Sequence, residues 1–509
     1  MIKFRCYIEK MVTYVKYAIF ILQINERLFL LVERKKKMDF IDFINSIISA
    51  VSSFLYQPWC VPLLLLAGGI ILTVRSKFIQ VRLFTESFKV IMEKPKTEDG
   101  ISSFGALMVS TASRVGTGNI IGVATAICAG GAGAVFWMWV TAIIGGASAF
   151  VESTLAQIYK RKNLDGSSYG GPAYYMRDAL GQRWLGVIFS ILIIATYAVG
   201  YNMLAAYNLQ DTFTAFDFYS KTTAIVIGVI LAVLFGIIVI GGAKRLTKVT
   251  EVMVPVMGVL YVIVAIIVLV LNAKQIPAMF NMIFESAFDF KAIFGGFAGS
   301  CIMNGIKRGL YSNEAGMGSA PNAAATADVS HPAKQGLVQM LSVFIDTLLI
   351  CTATAFMCLS SGVEFNGEMG GASYVQSAMQ ANLGDFGPIF LSVAMSLFAF
   401  TTLIGNYSYC EGCLRFILNR EVSKNGLLAF RMIATALVFL GAVASASTVW
   451  NLADMTQGLM VIVNVPVILL LMKPAMACLE DYCRQKKEGK NPEFIATKVG
   501  IKEELDFWK

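Results

Sequence analysis

Residues 110–126 read Ser-Thr-Ala-Ser-Arg-Val-Gly-Thr-Gly-Asn-Ile-Ile-Gly-Val-Ala-Thr-Ala and lie within an apolar run that is long enough to cross a membrane. A backbone that crosses lipid must satisfy its own N–H and C=O groups, so such a run normally forms one unbroken helix. The central Gly-Thr-Gly-Asn, residues 116–119, weakens that helix, because each glycine costs about 1 kcal/mol relative to alanine. A break is tolerated where the freed backbone groups line a cavity and bind a ligand or an ion. The alternative is a small-residue face for close helix packing.

The composition of the whole chain is typical of a membrane protein. Of its 509 residues, 56% are hydrophobic and only 15% are charged, whereas soluble proteins carry about a quarter charged residues. The formal net charge of +9 fits basic cytoplasmic loops, since no basic run is interleaved with aromatic residues as in a nucleic-acid site. We therefore predict an all-α integral membrane protein in a lipid bilayer, with no nucleic-acid partner and no obligate protein partner.

The cysteines and the single histidine argue against redox, metal and hydrolytic chemistry. Most of the ten cysteines lie in apolar runs, as small buried hydrophobic residues do. Cys410 and Cys413 form a C-x-x-C motif, but no second pair accompanies it. His331 alone cannot build a zinc site or a Ser-His-Asp triad. We expect no enzymatic activity and no organic cofactor.

Apolar runs separated by loops predict about eleven membrane spans. Lys and Arg occur in every second loop, and such loops mark the cytoplasmic side. This alternation puts the N-terminus outside and the C-terminus in the cytoplasm of a multi-pass protein of the plasma (inner) membrane. The predicted spans are 43–74, 101–129, 134–158, 184–207, 222–240, 252–271, 292–310, 335–359, 386–409, 427–446 and 449–472.

Spans 2 and 7 contain the glycine interruptions, and they lie five spans apart. Span 7 carries Gly295, Gly296, Gly299 and Gly305. If spans 2–6 and 7–11 are repeats, their odd length makes the two copies inverted. Paired interrupted spans in inverted halves point to a transporter site near the middle of the membrane. The chain has no Gly-x-x-x-x-Gly-Lys-Ser/Thr loop, so an ion gradient is the natural driving force.

These spans divide the chain into five predicted parts. Residues 1–37 mix basic and apolar residues and lack the pattern of a signal peptide, so we interpret them as an extension before a second candidate start at Met38. The other parts are 38–99, a leading helix and cytoplasmic loop; 100–272, the first inverted repeat; 273–473, the second inverted repeat; and 474–509, a cytoplasmic tail.

Five motifs together resemble the alanine/glycine:cation symporter family. They are Val115–Ile120, Phe136–Trp139, Tyr169–Pro172, Lys307–Gly316 and Asp346-Thr347. The resemblance implies a LeuT-type five-plus-five inverted repeat after one extra helix. It also implies transport of a small neutral amino acid coupled to Na⁺ or, less often, to protons.

Three residues depart from the pattern of family members that carry alanine and glycine. Asn406 stands where those members usually have Trp, Ala205 where they have Gln, and Arg114 where they have a small or apolar residue. The first two changes predict a wider pocket with different polar partners. We therefore expect a substrate larger than alanine, with glutamine as the first candidate; alanine, glycine and serine stay open.

The coupling ion and the substrate are expected at the break in span 2. A broken helix offers carbonyl oxygens to a cation and N–H groups to an anion. The predicted Na⁺ ligands are the carbonyls of Ala112 and Val115 and the hydroxyls of Thr401 and Thr402. The alternative for the two threonines is that each hydroxyl bonds its own helix. The predicted substrate-binding residues are Gly116, Thr117, Gly118, Asn119, Asn202, Gly299, Ser300, Asn406 and Arg114.

Charged residues near the breaks leave alternatives open. A buried arginine is costly, so Arg114 either assists substrate recognition or pairs internally with an acid such as Asp346 or Glu152. The motif around Lys307 and Glu314 predicts an intracellular gate or, alternatively, a structural charge cluster.

Three other functions compete with Na⁺ symport. A proton-coupled transporter would share the same fold. An ion channel would need a continuous polar pore, and a membrane enzyme would need paired carboxylates or a nucleophile with a base; the sequence suggests neither.

Overall fold

The computed structural model describes residues 40–98, 100–163, 166–290, 293, 296, 299–367 and 369–508. The predicted extension 1–37 lies outside the described residues. The chain divides into two compact units, Met1–Phe54 and Leu55–Lys509. In the first unit the described residues belong to helix α1, Phe40–Leu55. The domain boundaries predicted near residues 99, 272 and 473 stay predictions.

The first part of the second unit consists of helices with one small hairpin. The helices are α2 (Val61–Arg75), α3 (Ile79–Arg82), α4 (Phe84–Ile91), α5 (Ser103–Arg114), α6 (Val123–Gly130), α7 (Gly133–Ile158), α8 (Pro172–Asp178), α9 (Arg183–Ile193), α10 (Asn202–Thr212), α11 (Lys221–Ile240) and α12 (Ala243–Leu271). A π-helical turn, Gly118–Gly122, precedes α6, and another, Ile194–Tyr201, joins α9 to α10. Strands β1 (Arg161–Lys162) and β2 (Ser168–Tyr169) pair antiparallel after α7.

The second part is also built mainly of helices. Its helices are α13 (Ile276–Ala287), α14 (Cys301–Asn313), α15 (Ala320–Ala324), α16 (Pro332–Phe344), α17 (Thr352–Leu359), α18 (Gly371–Leu383), α19 (Phe386–Ser408), α20 (Cys410–Leu418), α21 (Lys424–Val443), α22 (Ala446–Leu470) and α23 (Met472–Lys487). A third π-helical turn, Ile345–Cys351, joins α16 to α17. Short 3₁₀ turns lie at Phe213–Ala215, Ala273–Gln275 and Ala496–Val499.

Among the described residues, eight helical segments are long and apolar enough to cross a membrane. They are Gly133–Ile158, Arg183–Ala215, Lys221–Ile240, Arg245–Leu271, Pro332–Leu359, Phe386–Leu418, Lys424–Val443 and Ala446–Leu470. Each coincides with one of the predicted spans. Predicted spans 1, 2 and 7 correspond to shorter helices, so the count of eleven and the five-plus-five arrangement stay predictions.

The interrupted segments lie inside the bundle, and uninterrupted helices surround them. Helix α5 packs against α12 and α19, whereas α14 packs against α6 and α7. Large apolar side chains are exposed along α11 and α12, for example Val233 (53%) and Val259 (59%). Apolar surface of this extent is what a helix presents to lipid tails. Helix α12 thus covers one side of α5, and α11 packs against α19 and α21.

Several arginines lie together at one end of the bundle. At this end, Arg415 contacts Asn163 beside the hairpin, and Arg161 and Arg177 both contact Asp178. We call this end the basic face. The other end, where α6 ends and α14 begins, is called the opposite face.

Candidate functional site

The first interrupted segment breaks where the sequence predicts. Helix α5 ends at Arg114, and Val115 has extended dihedral angles (φ −76°, ψ 90°). The amide of Gly116, which would otherwise continue the helix onto the Ala112 carbonyl, donates instead to Asn119 Oδ1 at 2.7 Å. The predicted loss of helix at Gly116 is therefore confirmed, and the Asn119 side chain stabilises the break.

The second interrupted segment breaks between α14 and α15. Glu314, Gly316 and Gly318 all have positive φ angles, of 55°, 84° and 79°. Glu152 Oε2 accepts hydrogen bonds from the Gly318 amide at 3.1 Å and from Asn464 Nδ2 at 2.8 Å. Asn464 Nδ2 also donates to the Gly316 carbonyl at 3.0 Å. Side chains from α7 and α22 thus satisfy backbone groups that a helix would have paired internally.

This position differs from the one that the sequence predicts for span 7. Gly299 and Ser300 precede α14, and the Ser300 hydroxyl accepts a hydrogen bond from the Met303 amide at its first turn. Both residues line a cavity together with Gly130, at the opposite face. The structure places Gly299 and Ser300 at the start of α14, whereas the backbone groups freed around Gly316 and Gly318 lie at the other end of this helix. The role of Gly299 and Ser300 in substrate binding stays a prediction.

The two breaks are in direct contact. Ser113 Oγ lies 2.8 Å from Glu314 Oε1, and the hydroxyls of Thr117 and Tyr311 lie 3.1 Å apart. A Cβ added to Gly118 would lie 2.9 Å from the Tyr311 ring, so a side chain would not fit there. Glycine in this segment therefore serves the close approach of the two interrupted segments.

The two threonines proposed as ion ligands differ in their hydrogen bonds. The Thr401 hydroxyl donates to the carbonyls of Leu397 and Phe398 on its own helix, both at 3.0 Å. The Thr402 hydroxyl is buried and has no hydrogen-bond partner among the described residues. It lies against Gly116, since a Cβ there would be 1.9 Å from Thr402 Oγ1. The structure therefore brings Thr402 to the first break, whereas the Thr401 hydroxyl bonds its own helix, which was the alternative for this pair.

Asn119 links the first break to a buried acid. Its Nδ2 donates to Asp346 Oδ1 at 2.6 Å. Asp346 Oδ2 accepts from the hydroxyls of Ser312 (2.8 Å) and Thr347 (2.9 Å). Asn119 and Asp346 both lie in π-helical turns, a geometry that often marks functional sites. Asn119 is therefore occupied on both polar atoms by protein groups.

Asn202 and Asn406, predicted from distant parts of the sequence, lie in contact. Asn406 Nδ2 donates to Asn202 Oδ1 at 3.0 Å, and Asn406 Oδ1 lies 2.6 Å from Ser113 Oγ. Asn202 Nδ2 is buried without a partner among the described residues. Ala205, one turn along α10 from Asn202, is also buried. Polar side chains from α10 and α19 thus meet at the end of α5.

Among the described residues, Arg114 is the largest fully buried side chain, with 1% exposure. Its Nη1 donates to the Gln339 carbonyl at 3.3 Å, while Nε and Nη2 have no partner among the described residues. Its charge interacts with three buried carboxyls, those of Glu152, Glu314 and Asp346. It makes a direct hydrogen bond with none of them, so neither predicted direct pairing, with Asp346 or with Glu152, is present.

The charges of α14 lie on the far side of the break from the basic face. Arg308 Nη2 is 2.9 Å from Asp454 Oδ2, and its guanidinium lies 4.2 Å from the centre of the Trp450 ring. Lys307 Nζ lies 3.5 Å from the same carboxylate. Lys307 and Arg308 thus lie between the breaks and the opposite face, in an ion-paired cluster with Asp454. The intracellular gate and the structural charge cluster both stay predictions.

A different set of contacts closes the basic face. Gln157 Nε2 donates to the Ala327 carbonyl at 2.9 Å, and Trp508 Nε1 donates to the Gln157 carbonyl at 2.7 Å. Lys160 donates to the Ala327 carbonyl at 2.9 Å. Burial lowers the pKa of Lys160 to about 7, although the nearby Asp328 opposes the shift. The site between the two breaks is thus covered from both ends.

Comparison with known proteins shows the family to which the chain belongs. The sodium:alanine symporter family matches residues 41–496 of the chain. The chain belongs to this family. The predicted resemblance is therefore confirmed, and membership makes the chain a sodium-coupled amino-acid symporter of a multi-pass membrane family.

Two curated relatives and one solved structure give the degree of similarity. The chain is 44% identical to the amino-acid carrier protein AlsT of Bacillus subtilis over 468 residues, which are 92% of this chain and 98% of AlsT. It is 45% identical to the probable sodium/glutamine symporter GlnT of the same organism over 447 residues, 87% of this chain and 92% of GlnT. The structure of MhsT in complex with L-phenylalanine matches 76% of this chain and 90% of its own, with a TM-score of 0.51 and 15% identity. That likeness supports the LeuT-type fold of the symporter.

Sequence reasoning missed two parts of the symporter site. Ser113 is not among the residues that the sequence predicts for the site, although it lies beside Arg114 in residues 110–126. For Glu314 the sequence predicts an intracellular gate or a structural charge cluster, whereas the structure places this residue at the second break, in contact with Ser113. An acid embedded in a stretch of Gly, Ala and Ser residues is the signal that could have identified it.

Proposed function

We propose that this symporter imports a small neutral amino acid together with Na⁺ across the plasma membrane, and that both bind where the two interrupted segments meet. The observation that carries the proposal is the contact between the breaks, with Ser113 Oγ 2.8 Å from Glu314 Oε1. Helix breaks of this kind expose carbonyl and N–H groups to bound ions and substrates. Moving one charge through 100 mV supplies about 2.3 kcal/mol, so one Na⁺ supports accumulation of a neutral substrate.

The Na⁺ ion is proposed to bind the carbonyl oxygens of Ala112 and Val115 and the hydroxyl of Thr402. Two facts support this site: the Gly116 amide no longer pairs with the Ala112 carbonyl, and Thr402 Oγ1 is buried without a partner among the described residues. A buried oxygen without a partner is costly, and a bound cation removes that cost. Thr401 stays a weaker candidate, because its proton is donated to its own helix.

The substrate carboxylate is proposed to bind the N–H groups of Thr117 and Gly118 at the start of the π-helical turn. The helix dipole there favours a negative charge. The Gly116 amide is not proposed to bind the substrate, because it already donates a hydrogen bond to Asn119 Oδ1. Arg114 is proposed to compensate the negative charge around the site, because its guanidinium faces three carboxyls and makes a direct hydrogen bond with none of them.

The substrate side chain is proposed to meet Asn202 and Asn406, which makes a carboxamide such as that of glutamine a suitable ligand. Two amides present both donors and acceptors, and a substrate carboxamide complements both. The 45% identity to a relative named as a probable sodium/glutamine symporter supports the same choice. Alanine remains the competing substrate.

The basic face is proposed to lie in the cytoplasm, with the N-terminus outside. Its cluster of arginines, among them Arg161, Arg177 and Arg415, follows the rule that loops rich in Lys and Arg stay inside. The salt-bridged α14 then faces the outer side.

Uptake by purified protein in proteoliposomes tests the function. Labelled alanine and glutamine are offered with an inward Na⁺ gradient, with choline replacing Na⁺, or with a proton gradient alone. We expect saturable uptake and counterflow that require Na⁺, with glutamine displacing alanine. Uptake with choline and a proton gradient would favour proton coupling, and a flux that does not saturate would favour a channel. Failure of glutamine to displace alanine, while glycine succeeds, would contradict the substrate proposal.

A further inference from the structure

Four buried side chains form a continuous hydrogen-bonded row from the second break to the substrate site. Glu314 Oε1 lies 2.8 Å from Ser113 Oγ, and Ser113 Oγ lies 2.6 Å from Asn406 Oδ1. Asn406 Nδ2 donates to Asn202 Oδ1 at 3.0 Å. All four residues are at most 5% exposed. The row therefore connects an ionisable group to the amides proposed to contact the substrate.

With the amides of Asn406 and Asn202 oriented as in the structure, the row contains one proton fewer than its contacts require. A serine hydroxyl carries a single proton, yet Ser113 Oγ lies at hydrogen-bond distance from two acceptor oxygens. If Ser113 donates to Asn406, the Glu314 carboxyl must carry a proton and donate it to Ser113. Asn406 then donates to Asn202, so Asn202 Nδ2 has no acceptor within the row. This is the atom that is buried without a hydrogen-bond partner among the described residues.

When Glu314 is ionised, the hydrogen bonds along the row reverse their direction. Ser113 then donates to the carboxylate, and the two amides turn over, which is possible because amide oxygen and nitrogen are nearly equivalent in shape. Asn406 donates to Ser113, and Asn202 donates to Asn406. The side-chain oxygen of Asn202 then has no donor within the row. The protonation of Glu314 thus decides whether Asn202 offers a donor or an acceptor.

Glu314 is distinguished from the other buried acids by the partners of its oxygens. Its Oε2 accepts from the Ser319 hydroxyl at 2.7 Å, so both of its oxygens face hydroxyls. A hydroxyl accepts a proton as well as it donates one. Glu152 Oε2 instead receives N–H donors from Gly318 and Asn464, which cannot accept a carboxyl proton. Glu152 Oε1 is buried with no hydrogen-bond partner among the described residues, so a proton on that oxygen would have no acceptor.

Asp346 is also less suited to bind a proton. Its Oδ1 accepts a hydrogen bond from Asn119 Nδ2 at 2.6 Å, and this N–H donor cannot accept a carboxyl proton. Both hydroxyls around Asp346 contact its other oxygen, Oδ2. Of the three acids, Glu314 thus has the partners that suit both protonation states.

The groups that face Glu314 come from several elements. They are Arg114 of α5, Tyr197 and Tyr201 of the π-helical turn after α9, Tyr311 of α14, and Tyr409 between α19 and α20. Of these, only Arg114 is charged at neutral pH. It is shared with Glu152 and Asp346, so three carboxyls face one guanidinium. Buried charge needs compensation, which a proton on Glu314 or a bound Na⁺ supplies.

We propose that Glu314 is a proton-binding site of the transport cycle, and that its charge sets the direction of the hydrogen bonds that end at Asn202. Binding of Na⁺ next to Ser113 releases this proton, because both cations compensate the same buried charge. The inference rests on the proposed function, since the competition requires Na⁺ at the carbonyls of Ala112 and Val115.

The first test is the pH dependence of Na⁺-driven uptake in proteoliposomes, with matched variants. For the wild-type protein, the Na⁺ concentration for half-maximal uptake should rise as the pH falls, by up to about tenfold per pH unit, because each Na⁺ displaces one proton. Glu314→Gln should remove this dependence, since its amide mimics the protonated acid. Glu152→Gln, a change of another buried acid that faces Arg114, should keep it. Persistence of the dependence in Glu314→Gln, or its loss in Glu152→Gln, overturns the proposal.

A second measurement does not depend on the folding of a variant. Adding Na⁺ to the wild-type protein in weakly buffered detergent solution should release protons, which a pH-indicator dye detects; absence of release overturns the proposal. Ser113→Ala should weaken the pH dependence and Ser113→Thr, which keeps the hydroxyl, should restore it. If Ser113→Ala and Ser113→Thr show the same pH dependence of uptake, the Ser113 hydroxyl does not link Glu314 to Asn406, and the proposed row is contradicted. Uptake that needs Na⁺ but is independent of pH rejects this inference alone, whereas uptake without Na⁺ rejects the proposed function.

Discussion

The hydroxyl of Thr402 lies against the backbone of Gly116, so closely that a Cβ at Gly116 would fall 1.9 Å from its oxygen. One residue belongs to α19 and the other to the first break, and they are nearly 300 positions apart in the chain. This contact brings an oxygen without a partner to the carbonyls freed by the break. It explains why the position requires glycine.

Gly116→Ala should therefore abolish most of the Na⁺-dependent uptake. The added methyl group forces α5 and α19 apart, and overpacking of this kind costs about 1–3 kcal/mol. Uptake of labelled substrate by the reconstituted variant measures the effect. Gly258→Ala on α12, where no atom lies within 4 Å of the added Cβ, is the matched control and should retain uptake. Equal uptake by the two variants would contradict the close contact.

Thr402→Val and Thr401→Val separate the two candidate ligands. Valine keeps the size of threonine and removes the hydroxyl. Loss of the Thr402 oxygen should raise the Na⁺ concentration for half-maximal uptake by about tenfold, which corresponds to about 1.4 kcal/mol. Thr401→Val should have a smaller effect, because the Thr401 hydroxyl donates to its own helix. Na⁺ titration of uptake gives both values, and the reverse order would move the ion site towards Thr401.

Asn406→Trp tests substrate size. Asn406 is fully buried and contacts Asn202 at 3.0 Å, so an indole there would fill the space proposed for the substrate side chain. We expect glutamine uptake to fall by about tenfold more than alanine uptake, because an overfilled pocket excludes the larger ligand first. Competition of unlabelled glutamine and alanine against labelled alanine measures the ratio. An unchanged ratio would place the substrate side chain elsewhere.

Asp454→Asn should destabilise the closed opposite face. The change removes the carboxylate that Arg308 contacts at 2.9 Å, and it leaves a buried guanidinium without its anion. Breaking a buried pair in this way costs about 3–5 kcal/mol. The apparent melting temperature in detergent measures the loss. Glu488→Gln, which breaks the exposed pair with Lys490, is the control and should leave the melting temperature unchanged. Similar melting temperatures for both variants would argue that Asp454 is solvated.

His331 predicts a dependence of stability on pH. Burial lowers its pKa from 6.5 to about 4, and the Ala333 amide donates to its Nδ1, which must then be unprotonated. Between these two pH values the unfolded chain binds a proton that the folded chain does not, so this contribution to stability falls as the pH drops from 6.5 to 4. His331→Asn keeps a side-chain acceptor at the start of α16 and removes the titration. Its melting temperature should therefore fall less between pH 7 and pH 5 than that of the wild-type protein, and an equal fall would exclude His331 as the cause.

Local sequence determined the first break but left its contacts open. The glycines at 116 and 118 weaken the helix wherever they lie, so the interruption was predictable from residues 110–126 alone. The sequence did not predict which threonine faces this break. Thr401 and Thr402 are adjacent, and helical geometry alone points their side chains to different neighbours. The packing of α19 on α5 decides that Thr402 meets Gly116.

Composition, local helix propensity and contiguous motifs are enough to predict the membrane class, eight of the spans, the family and the first break. The position of the second interruption depends instead on contacts between helices that are distant in the chain. Gly299 and Gly318 lie in equally glycine-rich stretches, but Glu152 and Asn464 reach the backbone around Gly318 and satisfy its freed groups. A helix inside a membrane ends where partners from other helices replace its own hydrogen bonds, and those partners are known only once the chain has folded.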